Sequence, residues 1–108
     1  MASYMIEVSY TAASLAAMVK SPQNRLPVIS KVAKKLGGKV RGFWFAFGDS
    51  DVIGILDMPD SISMAAFAAA IGAGGACSKV KTTALLSIDE GLAALEKAGT
   101  AGYTPIGS

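Results

Sequence analysis

The chain contains no histidine. That absence removes Ser-His-Asp and Cys-His catalysis, His-ligated zinc and axial histidine ligation of haem. Acid–base chemistry would have to use Asp, Glu, Lys, Tyr or water. Cys77 is the only cysteine, so no intrachain disulfide can form, and the residue reads as a small buried side chain with no thiol role. Charge is scarce as well. Charged residues make up 17% of the chain against 52% hydrophobic, and the formal net charge is +2. This balance excludes disorder and is too weak to recruit nucleic acid or an anionic membrane. Long apolar runs are missing: the longest, Met64 to Cys77, carries glycines and falls short of the ~18 residues of a membrane span. The first residues lack a basic start and Glu7 interrupts the first apolar run, so no signal peptide and a cytoplasmic location are expected.

The 108 residues predict one domain, with a body over 1–99 and a tail over 100–108. A chain this long hides roughly two-thirds of its unfolded surface, which leaves excess apolar area here and predicts an oligomer.

Ser3 to Tyr10 alternates as a strand, with Tyr4, Ile6 and Val8 on one face. Thr11 caps a helix through Val19, which Ser21-Pro22 breaks. Asn24 caps a second segment with Pro27 in its first turn; Ile29, Val32, Ala33 and Leu36 form its stripe, and Gly37 ends it. Val40 to Phe47 and Val52 to Met58 read as two buried strands, with Gly48 to Asp51 as a hairpin turn. Asp60 or Ser61 caps an alanine-rich helix that Gly72 to Gly75 close, and Lys79 to Ser87 is a fourth strand. Ser87-Ile88-Asp89-Glu90 is a capping box opening a short helix that ends at Gly99. The order βαββαβ is the ferredoxin-like α+β unit: a four-stranded antiparallel sheet with helices on one face.

Several residues invite a chemical reading. Arg41-Gly42-Phe43 begins like an RNA-recognition signature, but Trp44 and Gly48 then stand where the pattern needs a small residue and an aromatic one. The basic cluster Lys31, Lys34, Lys35, Lys39 and Arg41 fits a solvated helix end, so nucleic acid is not expected. Asp49 and Asp51 are too few oxygens for Ca²⁺ and suit a turn, where Asp bonds its own backbone. Metal is not expected. Lys79 and Lys81 share one strand face and could meet an anion, although exposed strand-end lysines are common. Arg25, just after the helix break, can clamp a carboxylate or pair with a neighbouring acid. Trp44 would hold a flat apolar ligand if it lines a cavity; core packing is the commoner fate of a strand tryptophan.

Taken in order, Pro22-Gln23-Asn24-Arg25, Lys35-Leu36-Gly37-Gly38-Lys39, Gly42-Phe43-Trp44-Phe45-Ala46-Phe47-Gly48, Met58-Pro59-Asp60, Val80-Lys81-Thr82-Thr83 and Lys97-Ala98-Gly99 to Tyr103 make the chain resemble the GYD-domain family of small bacterial and archaeal proteins. The family's Gly-x-Tyr-Asp motif is incomplete: Gly48 and Asp51 match, but Ser50 replaces the tyrosine. Its Tyr-x-Pro-Pro ending lacks the second proline after Tyr103-Thr104-Pro105. The resemblance implies a dimeric α/β barrel, two sheets packed face to face, with pockets between each sheet and its own helices. Fold alone does not transfer an activity.

The expectation is a homodimeric binding or accessory protein for a small apolar or aromatic molecule, without a cofactor. Arg25, Trp44, Asp51, Lys81 and Tyr103 are the candidate ligand-binding residues. Two alternatives stay open. One is a cofactor-independent monooxygenase or cyclase acting on an aromatic or enolisable substrate; the other is a purely structural assembly.

Overall fold

The computed structural model describes residues 1–107; Ser108, the end of the expected tail, lies outside the described residues. The elements are β1 (Ala2–Tyr10), α1 (Ala12–Lys20), α2 (Leu26–Lys35), β2 (Lys39–Phe45), β3 (Val52–Met58), α3 (Ser61–Ala73), β4 (Cys77–Leu85) and α4 (Ile88–Gly99). Four antiparallel strands form one sheet in the order β2-β3-β1-β4. This is the ferredoxin-like α+β fold, with its first helix split in two.

Local chemistry sets the helix limits. Thr11, Asp60 and Ser87 each accept a backbone N–H from the first turn of α1, α3 and α4, and Ser87 with Glu90 completes the capping box. Asn24 Oδ1 accepts the Leu26 N–H at 3.0 Å, one residue ahead of the proline that opens α2. The end of α2 is a Schellman turn: Gly38 N–H donates to Ala33 O at 2.9 Å and Gly37 N–H to Lys34 O at 3.0 Å. Gly37 has φ +85°, the left-handed conformation in which a side chain is strained.

Alternation then divides the sheet. Tyr4, Ile6 and Val8 of β1, with Val52, Leu56 and Met58 of β3, face Ala33 of α2 and Met64 and Phe67 of α3; these form the core. The opposite face is open. Register aligns three rows across it: Trp44–Ile53–Glu7–Lys81, Gly42–Ile55–Met5–Thr83 and Lys39–Asp57–Ser3–Leu85.

The two strands of the Gly42 to Asp57 segment are not equally buried. β3 lies inside the sheet, but β2 is an edge strand that ends at Phe45. Trp44 is 56% exposed and Phe47, in the turn, is fully exposed. The expectation of two buried strands fails for β2 because hydrophobic content cannot tell an edge strand from a central one.

On the open face Asp57 is only 7% exposed. Its carboxylate accepts from Ser3 Oγ at 2.7 Å and pairs with Arg41 Nη1 at 3.0 Å. The Ser3 hydrogen bond first, then the hydrogen bond and charge of Arg41, lower the Asp57 pKa against the opposing effect of burial. A lowered native pKa contributes stability that is present above the unfolded value of about 3.9 and is lost as pH falls through the native one. Asp57→Asn is therefore expected to cost about 1–2 kcal/mol at neutral pH, mainly through Ser3, because the partner Arg41 is exposed. It should also flatten the loss of stability below about pH 4. Urea unfolding at pH 7 and pH 3 checks both; equal acid slopes for the two proteins would refute the assignment.

α4 contributes no buried side chain. Ile88, Leu92 and Leu95 on its apolar side are 81%, 53% and 71% exposed. The radius of gyration is 17.2 Å, against about 13 Å for a compact domain of this length.

Candidate functional site

A cavity of ≈ 240 Å³ lies between the sheet and helices α2 and α3. Its floor is made by the buried side chains Ile6, Val8, Val52 and Phe67, and Phe43 of β2 closes one side. Its walls are Val28, Ile29 and Val32 of α2 and Ala70 and Ile71 of α3. Tyr10, Cys77 and Arg25 add the polar groups. An enclosed apolar cavity of about 150 Å³ can hold benzene, so this one has room for a ring with a short substituent.

The site follows from sequence alternation carried to strand ends. Tyr10 continues the inward face of Tyr4, Ile6 and Val8, and a register shift between Ser9 and Tyr10 sets it opposite Cys77, the first residue of β4. Ser21-Pro22 interrupts the helical segment, and the chain re-enters the helix with Arg25 beside the cavity. Alanines and glycine along the end of α3 leave space that larger side chains would occupy.

Burial raises the Tyr10 phenol pKa, aided by the neighbouring Cys77 and Asp51 and opposed by the charge of Arg25. Burial alone raises the Cys77 thiol pKa. Both shifts run away from the ionised form that nucleophilic attack requires. Arg25 is half-buried; its Nη1 donates to Gln23 Oε1 at 3.1 Å. Among the described residues it has no carboxylate partner.

Of the five residues singled out in the sequence, only Arg25 lines this cavity. Trp44 lies on the open face of β2, with its ring folded over Gly42. Lys81 stands in the same row at the other edge of the sheet, three strand spacings or about 14 Å away. Asp51 is occupied by the backbone. Its Oδ2 accepts the Tyr10 N–H at 2.8 Å, its own N–H donates to Val8 O at 2.8 Å, and its carbonyl accepts from Ala46 N–H. Tyr103 is exposed in the tail. A single small substrate cannot touch all five within one copy. Ser50, which stands where the family motif has tyrosine, reaches Glu7 Oε2 at 3.3 Å on the open face.

Tyr10, Cys77, Phe43 and Phe67 are among the lining residues that sequence reasoning missed. The signal for Tyr10 was available, because extending the strand alternation by two residues reaches it. Cys77 carried no such signal, since its place depends on how β4 pairs with β1.

The family model of the GYD domain matches residues 4–95. No functionally curated protein matches the sequence. Among solved structures the chain is similar to the crystal structure of MtbAldR, with 15% identity and a TM-score of 0.58 over 80% of this chain and 53% of that one. The chain thus spans about half the length of that relative. It is also similar to an uncharacterized NIPSNAP domain protein from Burkholderia xenovorans, with 14% identity and a TM-score of 0.41 over 97% and 99% of the two chains. The first likeness extends to the fold alone, and the second is too loose to bear on it.

Proposed function

Since the chain belongs to the GYD-domain family, we propose that it is a binding or accessory protein that takes a small, largely apolar molecule into the cavity between its sheet and helices α2 and α3. The observation that carries this reading is the cavity itself: apolar on floor and walls, with a few polar groups gathered at Tyr10, Arg25 and Cys77. That is the usual build of a small-molecule site. The scattering of the other candidate residues away from this cavity favours binding over catalysis.

Indole is a suitable neutral probe. It is expected to shift the backbone amide resonances of β1, α2 and α3 residues around the cavity. It should also slow alkylation of Cys77, the only thiol in the chain. Perturbation confined to Trp44 would move the site to the open face, and no perturbation at all would refute the reading.

The protein works as a pair of copies in this proposal. The open face carries Met5, Ile53, Ile55 and Trp44 between charged margins, and α4 carries an apolar side that its own domain does not cover. A second copy would bury both. Light scattering is expected to give twice the chain mass. Removal of residues 100–108 should lower the melting temperature if the Tyr103 segment straps the partner; an unchanged melting temperature removes the strap, and a monomeric mass removes the pairing.

A further inference from the structure

We infer that the cavity takes a small carboxylic acid, with its apolar body between sheet and helices and its carboxylate on Arg25. The inference rests on the binding reading above and names the chemical class of the ligand. The cavity lining includes one cationic residue, Arg25, and no acidic residue. Among the described residues the only salt bridge is Arg41–Asp57 on the other face of the sheet, so Arg25 is not committed to a carboxylate of its own chain. Among the described residues its one side-chain hydrogen bond is to the neutral amide of Gln23, which leaves most of its donors unused. A planar guanidinium matches a carboxylate through two parallel N–H donors, a fit that an amide or alcohol cannot reproduce.

The remaining polar lining agrees. Tyr10 keeps its phenolic proton at neutral pH and can donate to an anion. The charges of Arg25 and of Asp51 both act on the Tyr10 phenol, so guanidinium and phenol belong to one locality, and the Asp51 carboxylate beside them is already held by the Tyr10 N–H at 2.8 Å. The apolar remainder, Ile29, Val32, Phe43 and Phe67, suits an aryl or branched alkyl body. A volume of ≈ 240 Å³ limits that body to about one ring and a short chain, judged against the benzene-sized cavity.

Phenylacetate and phenylacetamide test this, because they differ chiefly in charge. The wild-type protein is expected to bind phenylacetate about tenfold or more tightly than phenylacetamide at pH 7 and low salt. The gap should narrow as salt is raised, since Arg25 is only half-buried. Arg25→Gln should close the gap by weakening phenylacetate far more than phenylacetamide, and Arg25→Lys should restore part of it. Amide resonance titration and protection of Cys77 from alkylation supply the affinities, and unaltered thermal unfolding of the Gln variant confirms its fold. Equal binding of the two probes by the wild type, or a gap that survives in Arg25→Gln, overturns the assignment of the carboxylate to Arg25. If neither probe binds while indole does, the carboxylic-acid inference falls and the binding site stands. If indole fails as well, both fall.

Discussion

Replacing Phe67 with alanine is expected to cost about 3–5 kcal/mol, the usual range for removing a fully buried aromatic side chain. Phe67 is 1% exposed and stands where α3 meets the sheet, in contact with the core built on Ile6, Val8 and Leu56. A domain of this size has only about 5–15 kcal/mol of stability in all. The loss should lower the melting temperature by more than about 12 °C, at roughly 4 °C or more per kcal/mol. Phe67 is also part of the cavity floor, so the space left behind adjoins a hole that already exists. The variant should therefore regain part of its stability in the presence of toluene, which binds the folded state and fills apolar space. Denaturant unfolding with and without toluene reads both effects. A loss below about 1 kcal/mol would mean that the cavity floor is not part of the packed core.

The second large effect is expected at Gly38. A Cβ there would run into the backbone carbonyl oxygen of Asp57 and the Sδ of the buried Met58, with Met58 Cα at 3.3 Å. These atoms belong to β3, which is held between β1 and β2 and cannot retreat without opening the sheet. Gly38→Ala should destabilise by about 3 kcal/mol, the upper part of the range for forced overpacking. Gly42 is the natural control. The three atoms nearest a Cβ at Gly42 all belong to the outer ring of Trp44, a side chain with more than half its surface exposed. The ring can swing into solvent, so Gly42→Ala should cost less than about 1 kcal/mol and shift the fluorescence of the chain's single tryptophan. Similar losses at the two glycines would contradict the distinction between backbone and side-chain neighbours.

These two sites differ in how much the sequence says about them. Gly38 follows Lys-Leu-Gly at the end of a helix with a clear apolar stripe, and its C-terminal role was legible. Its closeness to Asp57 was not, because that contact joins residues far apart in the chain. α3 presents the opposite difficulty. Its apolar residues run all the way round, so periodicity cannot select the face that turns inward; packing chose Met64 and Phe67. α2, with polar residues on its outer side, announced Ile29, Val32, Ala33 and Leu36 in advance, and these positions do meet the core.

The candidate site was legible only in its materials. Arg25 stood out as a cation after a helix break, and Trp44 as the largest side chain in an aromatic strand. Folding put Arg25 in the same cavity lining as Tyr10, from the end of β1, and Cys77, from the start of β4. Trp44 did not join them, because the register of β2 on β3 turned its ring to the open face while its neighbour Phe43 turned to the cavity.

Sequence by itself determined the elements, their caps and the ferredoxin-like order, because capping, turn chemistry and periodicity act within a few residues of the chain. The tertiary structure alone decided which strand lies at the edge, which face of the alanine-rich helix is buried, and which residues line the cavity between helices and sheet. Those outcomes depend on contacts between distant segments, whose energies come from packing and register and leave no local mark in the amino-acid order.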